Sequence, residues 1–529
     1  VLLGGVFAAS RLFARSFAEL AAGEAYPKAY IATLFTVCID AAFSAVSEAH
    51  GEDGSFIYGN DLNISADVGK EYLDSMFSGV YGYADSSEIV HMLGQSAMDM
   101  SLRADLGGEF LKADADAGWR LGGEEQLRAA FALDDAVYCD IPELYPSVLA
   151  LKYEFFGLAG PIRAADIPSP GLRTDWPISP LAILHSMYEH GGALRPMLKQ
   201  MLDAAAGCLD FSLDKKAYVY ADGESAPAHA AIAGFDGGNM PAACAAALNV
   251  ILDREEYLAA VCGFLNDTGY YRALGGSLLQ PDYLAGLLED AAHDIGMAGG
   301  MDRFSGSFKV FIDRRNRPLG FSLLSGGAEI SMGVIPGSRY ELAVAGSHES
   351  FRVFGGLGSA IPAYSGTINY ESRGVATELG EFSSLSFGKQ RGLPSLSFEL
   401  AFNGAGFAAL ATGLSAAGRK AMGGLSGNMV FAGSPLGTDV ALSLVLAPGE
   451  TIEASSSSSF GGMPPVSVDS GDIFSGSDIV YVDAKNPLSG LNVMLLLSGA
   501  ANIVDGIEAA GYDLSPLISN YIGLLRRLF

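Results

Sequence analysis

Positive charge and cysteine are the scarcest chemistry in this chain: 529 residues hold 32 Lys and Arg against 60 Asp and Glu, five Cys and two Trp. A formal net charge of −28 argues against nucleic-acid binding, because phosphate contacts need clustered basic side chains. It argues equally against a polybasic attachment to anionic lipid. Cys38, Cys139, Cys208, Cys244 and Cys262 are widely spaced and odd in number, and none forms C-x-x-C. That spacing excludes a dense disulfide scaffold and argues against a zinc site, while leaving one disulfide open. Charged residues are only 17% and hydrophobic ones 50%, so the acidity does not describe a disordered tail. The length fits two to four domains or one large composite, at roughly 100–200 residues per domain.

Long apolar runs are also missing. The opening VLLGGVFAAS meets Arg11 too early to span a bilayer, which takes about 20 apolar residues. It reads as the last half of a signal peptide or signal anchor. Gly490–Val504 is the other apolar run; it is short, contains Asn492 and Asn502, and reads as a buried helix.

Patterns that would announce an enzyme fail one by one. Gly413–Lys420 (GLSAAGRK) mimics a phosphate loop, but Arg419 stands where Lys belongs and no Ser or Thr follows. Gly356-Leu357-Gly358 lacks a third glycine, and the S-x-x-K matches at Ser212 and Ser386 lack a K-T-G strand. No G-x-S-x-G elbow occurs. His185 and Glu189 share a helix face, but His190 departs from His185 by about 140° of helical phase, and His229 and His293 lie in other segments. Asp114 and Asp116 point to the polar side of a strand, and Asp134, Asp135, Asp140 and Glu143 surround a strand and turn. Calcium would need a glycine-punctuated ligand loop there, and a glycosidase would need a pair that nothing singles out. No catalytic, cofactor-binding or metal-ligating residue is assigned from the sequence, and no cofactor is expected.

What is present is alternation. Met98–Leu106, Phe110–Trp119, Leu127–Leu133 and Ala136–Ile141 alternate apolar and polar residues between Gly-Gly turns, the pattern of an antiparallel meander. A second set runs Phe308–Asp313, Leu319–Leu324, Ala328–Val334 and Tyr340–Ala345, with further strands at Tyr364–Tyr370, Ser395–Asn403, Gly427–Ala432 and Val440–Leu446. Leu102, Phe110, Trp119, Phe131, Val137, Phe308, Val310, Phe311, Leu323, Ile330 and Met332 are expected to be largely buried. Residues 12–48 read as a long helix that Pro27 kinks or divides into two. Ser179–Leu209, Pro241–Leu265 and Gln280–Ile295 read as helices, and Ser455–Ser459 as a flexible run.

The expected fold is therefore α+β, with two antiparallel β-meander sheets and helical segments before, between and after them. The expected divisions are 1–50, an anchor remnant and N-terminal helix; 51–160, the first meander; 161–300, a Pro-rich linker and helical insert; 301–450, the second meander; and 451–529, a Ser/Gly linker and C-terminal helices.

Three segments, Leu133–Tyr145 (LDDAVYCDIPELY), Phe308–Leu319 (FKVFIDRRNRPL) and Asn502–Leu514 (NIVDGIEAAGYDL), together with this layout, resemble uncharacterised membrane-anchored extracytoplasmic proteins of clostridia-like Gram-positive bacteria. The resemblance implies a location outside the cytoplasmic membrane and attachment through the N-terminal segment; it implies no activity. On this reading the protein is a non-catalytic envelope protein. The alternatives are a carrier or sensor of a hydrophobic ligand such as a lipid, and a carboxylate-dependent hydrolase. A cavity lined by Phe, Leu and Ile would favour the carrier, and convergent carboxyls with raised pKa the hydrolase.

Overall fold

The computed structural model describes residues 26–50, 56–77, 83–105, 111–156, 161, 180–270, 278–297, 305–357, 364–390, 393–411, 416–434, 436–461, 478–482 and 491–512. The apolar opening, the Pro-rich stretch 162–179 and Phe110 lie outside these residues. The fold is α+β, and the twenty strands among the described residues belong to one sheet rather than two. Two compact units share the chain. One comprises residues 1–48, 165–400 and 432–436; the other comprises 49–164, 401–431 and 437–529.

The first unit begins with α1 (Tyr26–Ala49). Pro27 sits in its first turn, where a missing N–H costs nothing; residues 12–25 of the expected helix lie outside the described residues. Tyr30, Ile31 and Leu34 bury against Ala231, Ala233, Val310 and Ile312 of two strands, each contributing about 1.5–3 kcal/mol. By length and composition α1 could cross a membrane; a third of its most apolar 18-residue window is buried in the protein.

The helix expected at 179–209 is two, α4 (Pro180–Glu189) and α5 (Gly191–Cys208), broken at His190-Gly191; α2 and α3 belong to the other unit. The helix expected at 241–265 is also two, α6 (Asn239–Leu252) and α7 (Glu255–Asp267), and α8 (Pro281–Met297) follows. Phe43 of α1 joins Leu194, Met197, Ile251 and Tyr257 of these helices in one core.

Between α5 and α6 lies a hairpin that the sequence did not announce, β7 (Asp210–Ala221) and β8 (Glu224–Phe235). It turns at Asp222-Gly223, both at positive φ (47° and 75°), the geometry that matches strand twist in a two-residue loop.

Asp40 of α1 accepts from Arg195 at 2.6 Å and Lys199 at 2.5 Å. Burial alone would raise its carboxyl pKa, but the hydrogen bonds and charges of Lys199 and Arg195 outweigh that and hold it below the ordinary range. A depressed folded pKa stabilises above the unfolded value, about 3.9, and the contribution disappears as pH falls through the folded value. The pair is partly solvated, so the effect stays within about 1 kcal/mol. Asp40→Asn should therefore melt slightly lower than the wild type at about pH 7, with the gap closing near about pH 3. Thermal melts at the two pH values check this.

Strands β9 (Gly306–Ile312), β10 (Pro318–Ser325), β11 (Ala328–Ile335), β12 (Arg339–Ala345), β13 (Glu349–Leu357), β14 (Tyr364–Ser372), β15 (Val375–Gln390) and β16 (Leu393–Asn403) continue the unit. From β8 to β15 each strand pairs antiparallel with the next. Asp313, after β9, shapes the basic turn that follows. Its carboxylate accepts the backbone N–H of Arg315 (2.8 Å) and Arg317 (2.9 Å), and the Tyr26 hydroxyl donates to Asn316 (2.9 Å).

In the second unit, β1 (Ile57–Asp67) lies between β2 (Ser96–Asp105) and β19 (Glu450–Phe460). Next to β2 come β3 (Lys112–Leu121), β4 (Glu124–Leu133), β5 (Val137–Asp140) and β6 (Val148–Leu151), all antiparallel. The sheet is not wholly antiparallel: β20 (Ile479–Val482) pairs parallel with β6. On the other side of β19 lies β18 (Gly437–Ala447), which follows β17 (Ser426–Ser434) in the chain. Ser455–Ser459 are thus ladder residues of β19, not a flexible run.

Two short helices, α2 (Lys70–Phe77) and α3 (Tyr83–Gly94), interrupt the stretch read as meander. Two more, α9 (Gly404–Leu410) and α10 (Ala416–Gly423), precede β17. The last described helix, α11 (Val493–Ala509), docks Ile507 on Leu121. Its first turns are not buried as expected: Met494 is 74% exposed and Leu497 52%.

Burial corrects the core list. Val310 is buried, whereas Leu102, Trp119, Val137, Phe308, Phe311, Leu323, Ile330 and Met332 are half-buried and Phe131 is exposed. Around Phe131 the core lies on the opposite side, formed by Ala132, Tyr138, Val148 and Ala150. Alternation marks two faces of a strand but does not say which one is covered.

Candidate ligand-binding face

Residues directly opposed across a ladder project from the same side of a sheet. Applied from β9 to β15, the registers sort the side chains into one apolar and one polar face. One apolar row runs Val310, Phe321, Met332, Leu342, Val353 and Ile368; the next runs Phe308, Leu323, Ile330, Val344, Phe351 and Tyr370. The opposite face carries Lys309, Ser322, Ser331, Ala343, Arg352, Asn369 and Glu378 in a single row.

A third apolar row closes one end. It runs Val334, Tyr340, Gly355, Gly366 and Phe382. Tyr340 and Phe382 stand three strands apart, about 14 Å in a flat sheet, yet their ring centroids are 5.7 Å apart. The two glycines between them carry no side chains, so the rings lean together over the bare backbone. The Tyr364 ring meets Tyr340 edge-on at 4.9 Å. Val334, Tyr340 and Phe382 are buried together with Phe321. The other end is open: Val344 is 44% exposed and Phe351 37%. Along one side α1 contributes Phe35, whose ring lies 5.5 Å from that of Phe308.

The Tyr340 hydroxyl is buried without a hydrogen-bond partner. Burial first, then the charges of Asp222 and Tyr364, push its phenol far above the ordinary range, so it stays neutral. The face therefore presents uncharged side chains from a closed aromatic end to an open aliphatic one. It can take up apolar matter by area, without directional bonds.

The polar residues weighed in the sequence lie elsewhere. His185 and Glu189 are in α4, whereas His190 caps α5 and bonds Asp267 at 2.7 Å. His229 lies on β8 and His293 on α8. Asp114 pairs with Arg103 and Asp116 with Arg128 across the ladder. Asp134 lies 3.7 Å from Lys112, and Asp135 accepts from the Tyr138 hydroxyl at 2.7 Å. Burial, then the Glu143 charge, push the Asp140 carboxyl up. Among the described residues no three His, Cys, Asp or Glu side chains gather as a metal would need. All five cysteines are free thiols; burial pushes Cys38 up to about 11, which keeps it protonated and unreactive.

By sequence pattern, Phe308, Val310, Leu323, Ile330 and Met332 of the apolar face are core positions. The missed signal was the Gly355/Gly366 pair, where glycine inside alternating strands marks a close approach. No family model, curated protein or solved structure matches this chain.

Proposed function

We propose that this protein is a non-catalytic extracytoplasmic envelope protein, attached through its N-terminal segment, that carries or senses a hydrophobic ligand such as a lipid on the apolar face of β9–β15. One observation supports the reading above others: of the twelve Val, Leu, Ile, Met, Phe and Tyr side chains in the two rows only Val310 and Phe321 are buried, and the other ten stay half-buried or exposed across six strands. Soluble proteins rarely leave so wide an apolar surface without an occupant. An aromatic closed end and an open aliphatic end suit a molecule with one apolar part to bury and one polar part to leave in water. The acidic balance of the chain favours an uncharged ligand over an anionic one.

The hydrolase alternative draws on Asp140 and Glu143. Glu143 is already engaged by the Arg128 backbone N–H at 3.2 Å.

Native mass spectrometry of the full chain, purified without detergent, tests the carrier reading. The expected result is a lipid-mass adduct that organic extraction removes and added diacylglycerol restores. A bare chain that takes up no diacylglycerol would refute it.

A further inference from the structure

We infer that the polar side of the same strands holds a second site, which takes a neutral carbohydrate. Here a groove of about 380 Å³ is lined by Asp222, Arg339, Phe354, Ser365 and Thr367 and by the backbone of Gly355, Gly356 and Gly366. That volume suits a small ligand rather than a macromolecule.

The groove follows from the residue order on β13. Arg352, Phe354 and Gly356 project from this side, and the Arg352 guanidinium lies over the Phe354 ring at 5.1 Å. On the other flank of the ring stands Gly356, which has no side chain. Gly356 is opposed by Arg339 on β12 and Ser365 on β14, and Phe354 by Thr367. An aromatic ring, two hydroxyls, a guanidinium and a carboxylate therefore face one hollow.

Its walls are fixed in advance. Arg339 bonds Asp222 and Glu224, each at 3.2 Å, and the Ser338 hydroxyl donates to Glu224 at 3.0 Å. Glu341 accepts from the Asp222 backbone N–H at 2.7 Å and from Arg352 at 2.8 Å. Three carboxylates against two guanidiniums leave a net negative charge, which disfavours phosphate or carboxylate ligands. Each of the three carboxylates is already bonded to an arginine, which disfavours a cation. What remains is an uncharged molecule that both donates and accepts hydrogen bonds and offers a C–H face to Phe354. A pyranose ring has these properties.

This inference is independent of the lipid reading. Saturation-transfer NMR on the full chain, with glucose, N-acetylglucosamine, cellobiose and chitobiose as probes, tests it. At least one probe should bind saturably with a Kd of about 1 mM, receiving magnetisation on its ring C–H protons. Gly356→Val should abolish that signal by filling the hollow. The added Cβ would sit 3.2 Å from the Ser338 carbonyl and 3.4 Å from Arg339, contacts that small shifts relieve, and a thermal melt checks the fold. Thr367→Val, which keeps the side-chain shape, should weaken binding severalfold. Failure of all four probes to bind, or unchanged binding by a folded Gly356→Val protein, overturns the proposal.

Discussion

Replacing Gly366 with valine should cost more than about 3 kcal/mol of stability. Gly366 on β14 and Gly355 on β13 face each other in the ladder. A Cβ at Gly366 would run into the Phe354 carbonyl and the Gly355 backbone. Those are main-chain atoms, so no rotamer change relieves the clash and the two strands must separate. The same side chain would also enter the space that Tyr340 and Phe382 occupy, breaking their contact. Urea denaturation measures the loss, and Ser365→Ala, one residue away on the other face, should cost little. A Gly366→Val protein within about 1 kcal/mol of wild type would show that the strands have room to part.

The second large effect concerns binding. Val353 lies in the apolar row between Leu342 and Ile368, so Val353→Asp places a charge where a hydrophobic ligand would lie. Desolvating that carboxylate opposes occupancy, and diacylglycerol uptake should fall at least about tenfold, or about 1.4 kcal/mol. Phe351→Asp makes the same test at the open end, where the side chain is already exposed and folding is less at stake. Ala343→Asp, in the polar row, should leave uptake unchanged. Wild-type uptake by a folded Val353→Asp protein would remove the apolar face from consideration.

Much of the strand order was legible because its signals are local. Alternation located β2–β5, β9–β12, β14 and β16–β18, and Gly122-Gly123 and Gly326-Gly327 adopt the positive φ that tight turns require. Segments whose partners lie far away were not legible. Ser455–Ser459 has the composition of a linker and becomes a strand only because β1 and β18 flank it. Ala228–Ala233 has the composition of a helix, yet β7 and β9 hold it extended. The apolar face was half-legible. Phe308, Leu323 and Met332 were recognisable as apolar strand positions, but their incomplete cover depends on which neighbours arrive. The groove beside Phe354 left no motif, since it is made by the side chain that Gly356 does not have.

Pairing β1 with β19 imposes a timetable on synthesis. Asn60 lies opposite Ser458, so about 400 residues must leave the ribosome before the ladder can close, which takes roughly 20–80 s at about 5–20 residues per second. During that interval β1 can pair with β2, but its other edge stays open to any extended chain nearby. The strand that finally fills the gap is serine-rich, with little apolar surface of its own to seed self-association while it waits. Slow closure and a late-arriving polar strand together make the nascent chain, more than the finished fold, the stage at which a holding factor for unpaired strand edges would matter.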